Sequence, residues 1–298
     1  MGKLQKVMNR KNLLVILFLL GIFFLSGCES KEQTGKRKEQ KTKYTYINKE
    51  GNTLETRIQT PEGYTRNKVS QKSLTEFLRT YKMKPDQSKV LLYNGKEKGY
   101  QNAQTAIFKL PLEQENLQQC ADSVMRVYAE YFWKMNQYDK ISFQLSDGFE
   151  AKYSKWREGY RIVPGETSSY WTKSAGRDTS YGAFQKYLRI VFAYAGTASM
   201  GNETKSIKAE DIQVGDVFLK SGSPGHVVMV VDICENKNGD KAFLLAQGYM
   251  PAQEFHVLKN PKHEENPWYR VDEISYPFKT PQYTFQKGSL KRLSYHVI

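Results

Sequence analysis

The sequence predicts an α+β fold on three observations. A long amphipathic helix runs over 117–136, a second over 184–195, and the final third alternates apolar runs with Gly-rich turns. In the first helix Leu117, Cys120, Val124, Val127, Tyr128, Tyr131 and Met135 keep helical spacing, with Asn116 as the expected N-cap and Gln119 three residues on. In the second, Phe184, Tyr187, Leu188, Val191, Phe192 and Ala195 form one face, and Gly196 is the expected C-terminal glycine. Upstream, Ser73-Leu74-Thr75-Glu76 has capping-box spacing before Phe77 and Leu78 and predicts a short helix. Lys89 to Tyr93, closing at Asn94-Gly95, and Ala103 to Leu110, stopped by Pro111, are expected strands. Downstream, Val217–Leu219, His226–Cys234 and Ala242–Ala246, joined by Gly-rich and Asn-rich turns, predict an antiparallel meander.

The first 28 residues have a different character. Lys3, Lys6, Arg10 and Lys11 precede an apolar run from Leu13 to Phe24, which ends at Leu25-Ser26-Gly27-Cys28. This is the pattern of an export signal, and the run falls short of the roughly 20 apolar residues that cross a bilayer. The tetrad resembles the lipobox of bacterial lipoproteins, which implies cleavage before Cys28 and a lipid on its sulfur. Glu29 to Lys43 lacks any large apolar side chain and is expected to be a flexible tether. The expected organisation is therefore a signal peptide (1–27), lipidated Cys28 with its tether (28–43), and a single α+β domain over 44–298, divided into an N-terminal subregion (44–112) and a core (113–298).

The formal charge of +14 falls to +10 once the four signal cations are discounted. Lys and Arg are scattered beyond the tether, so a nucleic-acid groove is not expected; anionic headgroups or wall polymers fit the charge better. With 20 Tyr, 15 Phe and 4 Trp the chain has aromatic surface to spare for sugars or peptides. Much of it falls in 149–178. Trp156, Tyr160 and Trp171 there, with Tyr249 downstream, are the candidate substrate-binding residues.

Three residues suggest chemistry. If the last two strands pair about a centre near Asn236 and Lys237, His226 faces Gln247 across the ladder. A histidine oriented by a polar neighbour is held in one tautomer, as a general base requires. Cys120, expected at the end of the first turn of its helix, is where free N–H groups and the helix dipole favour a thiolate. The candidate catalytic set is Cys120 as nucleophile, His226 as base and Gln247 as orienter, an order suited to papain-like acyl transfer. His256, His263 and His296 lack metal-site spacing, and no cofactor or metal is expected.

Asp211-Ile212, Gly215-Asp216-Val217-Phe218 and Gly225-His226-Val227-Val228 resemble the central motif of NlpC-like cell-wall peptidases. That resemblance implies a compact papain-like core, a cysteine-bearing helix packed on the antiparallel meander, with 44–112 as an N-terminal α/β extension. It carries Cys120, His226 and Gln247 into the same three roles. Gln119-Cys120-Ala121 departs from the Asp-Cys-Ser usual in that group. Gln118 to Arg126, Gly222 to His226, Gln247 to Gln253 and Asn266-Pro267-Trp268-Tyr269 also resemble the bacterial lipoprotein family of domain of unknown function 4846. Beside a purely structural role in the envelope, two readings stay open. One is an envelope lipoprotein with cysteine hydrolase activity on amide bonds, wall peptides being the substrate class the peptidase resemblance implies. The other is a non-catalytic envelope lipoprotein that binds a glycan, peptide or protein partner.

Overall fold

The computed structural model describes residues 44–296. The expected signal peptide, Cys28 and the tether lie outside the described residues. From Tyr44 onward the chain forms one compact unit, mixed α and β, with every strand pair antiparallel.

The helices are α1 (Leu54–Arg57), α2 (Leu74–Arg79), α3 (Cys120–Lys134), α4 (Tyr153–Arg157), α5 (Tyr181–Tyr194) and α6 (Thr197–Asn202). The principal sheet contains β1 (Tyr64–Thr65), β2 (Gln104–Ile107), β7 (Thr204–Ser206), β8 (Val217–Lys220), β9 (His226–Asn236), β10 (Lys241–Gln247), β11 (His256–Leu258), β12 (Tyr269–Arg270) and β15 (Leu290–Leu293). Three hairpins stand apart from it: β3 (Ser142–Gln144) with β4 (Glu150–Lys152), β5 (Tyr160–Val163) with β6 (Tyr170–Lys173), and β13 (Phe278–Lys279) with β14 (Thr284–Phe285). The sheet order is β2-β11-β10-β9-β8-β15-β7, with β1 also on β9 and β12 also on β10. The expected meander of β8, β9 and β10 is thus its centre.

Both faces of that centre are buried. Val227, Met229 and Val231 of β9 face Val124, Val127 and Tyr128 of α3, while Val228 and Val230 face Phe218, Phe243 and the hairpin residues Phe278 and Phe285. Side chains alternate across a strand, so a run of consecutive apolar residues is what a doubly covered strand needs. The 44–112 subregion is part of this sheet and not an appendage: β1 pairs with β9 and β2 with β11. It is also fastened electrostatically, because Asp232, fully buried on β9, accepts from Arg66 Nε at 2.6 Å and Arg79 Nε at 2.8 Å.

Several expectations change in detail. Ser73 caps α2 as expected, its Oγ accepting from Glu76 N–H, but the Glu76 carboxylate reaches Lys72 N–H instead of closing the box. The N-cap of α3 is Gln119, not Asn116, because Asp122 Oδ2 accepts from Gln119 N–H at 3.0 Å and sets the first turn there; Asn116 Oδ1 instead accepts from Ala252 N–H. Lys89–Tyr93 is not a regular strand, its pairing being limited to isolated bridges of Leu91 with Glu97 and Leu92 with Gln253. Gly196 does not cap α5 in the left-handed region. It is extended and starts α6, and α5 ends on Ala195.

Removing one partner of a buried ion pair strands the other charge, at a cost of about 3–5 kcal/mol. Asp232→Ala should therefore lower unfolding free energy in urea by about that amount, leaving Arg79 buried beside an empty acceptor. A loss below about 1 kcal/mol would show that water replaces the carboxylate.

Candidate active site

Cys120 is the first residue of α3, not the end of its first turn, and is 5% exposed. Its sulfur faces the backbone N–H groups of Ala121, Val227 and Cys120 itself. Those donors favour a thiolate, yet burial dominates and, with the charge of Asp122 beside it, pushes the thiol up to about 11. The expected thiolate-promoting helix terminus is overridden: the N–H groups are present, but the water a thiolate needs is not.

Helix start and sheet meet at Gly248, directly after β10. A Cβ there would collide with Ser123 Oγ and lie 2.7 Å from the Gln119 carbonyl oxygen. Only a glycine lets the first turn of α3 come down onto the sheet here, next to the Val227 N–H group.

His226 opens β9 and is almost wholly buried, its Nε2 2.8 Å from Gln247 Oε1. The contact is diagonal rather than directly opposed. Ala246 pairs with Met229, so Gln247 falls beside Val228; a longer 236–240 turn and an irregularity at Leu244/Leu245 shift the ladder from the expected centre. Tyr249, Tyr283 and Phe285 surround the imidazole at centroid distances of 4.9, 4.7 and 5.9 Å. This apolar cage lowers its pKa to about 4, with the Gln247 hydrogen bond opposing that shift.

Alternation along β9 sends Val227 toward the α3 side and His226 toward the opposite face. Thiol and imidazole therefore flank the same backbone segment. Among the described residues no hydrogen bond joins them, and the hydrogen bond that His226 makes to Gln247 runs through Nε2, leaving Nδ1 outside it.

Cys120 lines an open groove of about 400 Å³ together with Gln119, Thr197, Gly222, Gly225 and Met250. The 221–225 loop is held by Thr197 Oγ1 donating to Gly222 O at 2.8 Å, and Gly222 has φ +105°, the left-handed region that favours glycine. Asp122 also lines the groove; burial raises its carboxyl to about 8, and its Oδ1 has no partner.

Behind Gln247 lies a polar layer that sequence reasoning missed. Gln247 Nε2 donates to Gln282 Oε1 at 3.0 Å, and Lys98 Nζ donates to the same oxygen at 2.8 Å. Lys98 is 7% exposed, has no carboxylate within ion-pair distance among the described residues, and is lowered to about 8 by burial. Neither residue has a local motif, and both come from segments far from 226 in sequence. His256 is fully buried beside them, its Nδ1 2.8 Å from Glu254 O and its Nε2 unpartnered.

The expected substrate-binding aromatics separate. Tyr249 sits against His226. Trp156 is buried against Tyr187, with Arg161 4.4 Å over its ring, so its face is already covered. Tyr160 and Trp171, on the β5–β6 hairpin, do not line the groove. Cys234 is a free, buried thiol on β9 whose pKa burial raises further than that of Cys120. No group of three or more His, Cys, Asp or Glu side chains among the described residues could hold a metal.

A family model matches residues 54–292, which takes in Cys120, His226, Gln247, Lys98 and Gln282. The chain belongs to the family of domain of unknown function 4846. No curated protein and no solved structure matches it. Within this 4846 domain the groove is lined by Cys120 and not by His226 or Gln247, which lie across the Val227 backbone from the thiol.

Because only the thiolate alkylates, labelling of native Cys120 by iodoacetamide should rise about tenfold per pH unit from 7 to 10 without levelling off. That follows from a thiol near 11. A plateau at or below pH 8.5 would show a preformed thiolate. His226, depressed from 6.5 to about 4, contributes stability above pH 6.5 that is lost as pH falls through 4. His226→Phe should therefore flatten acid destabilisation between pH 6.5 and 4; an unchanged slope would show that the ring does not titrate as its burial requires.

Proposed function

We propose that this protein is an envelope-anchored lipoprotein with cysteine hydrolase activity on amide bonds, built on a papain-like arrangement, with wall peptides as its substrate class. The observation that carries the reading is the His226 Nε2–Gln247 Oε1 hydrogen bond of 2.8 Å on the strand whose next N–H group, that of Val227, meets the Cys120 sulfur. An imidazole held by Nε2 leaves Nδ1 as the basic nitrogen.

With thiol near 11 and imidazole near 4, the resting pair is neutral. The proton then moves from sulfur to Nδ1 as the sulfur attacks, a general-base step rather than attack by a preformed thiolate. The carbonyl oxygen gains the negative charge, and backbone N–H groups at the start of α3 are the donors positioned to meet it. Collapse breaks the C–N bond, and the imidazolium returns its proton to the departing amine. Water, deprotonated by His226, then hydrolyses the thioester and releases the acid with the free thiol. Resting thiol and ring are not hydrogen-bonded, so the step requires them to close on the substrate, as catalytic contacts commonly tighten only in the complex.

A second reading rests on that same gap. A thiol 5% exposed with no bond to the imidazole is also how a packed core cysteine looks, and the groove would then bind a glycan, peptide or protein without cleaving it. Full-length protein incubated with purified wall peptides decides between them. Hydrolysis reads out as new amino termini, abolished by Cys120→Ala and reduced about 10²–10⁴-fold by His226→Ala. Binding without cleavage, equal in wild type and Cys120→Ala, favours the second reading.

Envelope anchoring rests on the Leu25-Ser26-Gly27-Cys28 tetrad. No helix among the described residues is long and apolar enough to cross a membrane. Metabolic labelling with a fatty-acid analogue should mark the wild type and not Cys28→Ser, and label retained in that variant would remove the anchor from the proposal.

A further inference from the structure

We propose that Lys98 is a positioning residue that fixes the tautomer of His226 through a one-way chain of hydrogen bonds, Lys98 to Gln282 to Gln247 to His226. The polarity follows from counting donors. An ammonium has only donors, so the Gln282 atom 2.8 Å from Lys98 Nζ must be its oxygen. That same oxygen lies 3.0 Å from the Gln247 side chain, which must therefore present its NH₂ group. Gln247 then turns its own oxygen to His226 Nε2 at 2.8 Å, and an oxygen accepts only if Nε2 carries the hydrogen. Proton on Nε2 means lone pair on Nδ1, the nitrogen outside the Gln247 hydrogen bond.

Without Lys98 either glutamine amide could turn over, and His226 could donate from either nitrogen; a neutral amide pair has no intrinsic direction. The lysine supplies that direction, which accounts for an otherwise costly feature. An ammonium 7% exposed with no carboxylate in reach is rare in a folded protein. The surroundings hold it in place: Leu91 bridges to Glu97, Leu92 to Gln253, and Lys98 N–H bonds to Val90 O, so the 90–98 hairpin-like turn is pinned to the 252–254 segment. Tyr249 adds a second hold on Gln282, its hydroxyl donating to the Gln282 carbonyl at 3.4 Å, and its ring lies 5.9 Å from the ammonium. The N-terminal subregion thereby contributes a residue to the site built by the C-terminal sheet.

The consequence for chemistry rests on the reading of His226 as a base, but the tautomer itself does not. Selective ¹⁵N-histidine labelling of the full-length chain suits the test, because the chain has only four histidines. Long-range ¹H–¹⁵N correlation at pH 7 should show His226 protonated at Nε2 alone. Lys98→Met should turn it into a mixture, with the Nδ1–H share rising about tenfold, the scale of one net hydrogen bond. Lys98→Arg should keep the wild-type pattern. Should Lys98→Met fail to fold, Gln282→Glu and Gln282→Leu make the same distinction: the carboxylate still accepts from both sides and keeps the tautomer, the leucine does not. An Nδ1–H wild type, or a Lys98→Met protein with the wild-type tautomer, overturns the proposal. Should the tautomer follow Lys98 while Cys120 proves inert in hydrolysis, the chain of bonds stands and the hydrolase reading falls; the reverse pattern removes Lys98 alone.

Discussion

An 11-residue strand buried on both faces is the constraint on which the rest of this structure depends. A one-residue slip of β9 would exchange its two sets of side chains, driving Asp232 away from Arg66 and Arg79 and moving His226 out of its aromatic cage. Each fully buried Val or Met along it contributes about 1.5–3 kcal/mol relative to exposure, so such a slip is strongly disfavoured. The start of β9 is consequently fixed in space, and with it His226, the Val227 N–H group and the loop that borders the groove. Rigid elements hold a constellation of side chains more tightly than loops do.

The same burial decides the electrostatics. Removing water from Cys120 and from His226 disfavours the charged form of each, moving the thiol up and the imidazole down. The pair is therefore poised as neutral partners, and the one buried cation nearby, Lys98, is kept behind two amides where it orients without adding its charge directly to the imidazole. Such a site is quiet toward small electrophiles at neutral pH, and under the proposed hydrolase reading it depends on a bound substrate to bring the thiol and the ring together. The open groove beside the 221–225 loop is where that substrate would lie.

What the sequence disclosed followed local physics. The Ser73 cap, the amphipathic stripes of α3 and α5 and the meander around β9 were all legible, because caps, periodicity and apolar runs act over a few residues. The start of α3 departs from the local pattern because Asn116, the better cap residue in isolation, accepts from Ala252 N–H, while Asp122 closes the turn at Gln119. A simple turn-centred register pairs His226 with Gln247. The true register is shifted, yet the side chains still meet, because diagonal neighbours on one face lie within reach of long side chains. Trp156 illustrates the opposite limit: an aromatic-rich segment does not reveal which rings are already covered. Lys98 and Gln282 could not be found at all from local pattern, since their meaning lies only in the atoms they touch.

In the proposed mechanism Cys120 and His226 work on one substrate across the Val227 backbone, although they are not bonded at rest. A determined structure of the full chain after reaction with a peptide bearing a thiol-directed electrophile tests it most directly. The expected result is a covalent bond to Cys120, the peptide lying along the groove past the 221–225 loop, and His226 Nδ1 drawn to within about 3.5 Å of the sulfur or of the attached group, with Nε2 still on Gln247. A peptide attached to Cys120 while His226 stays sealed behind Val227, or a chain that reacts only after unfolding, would contradict it.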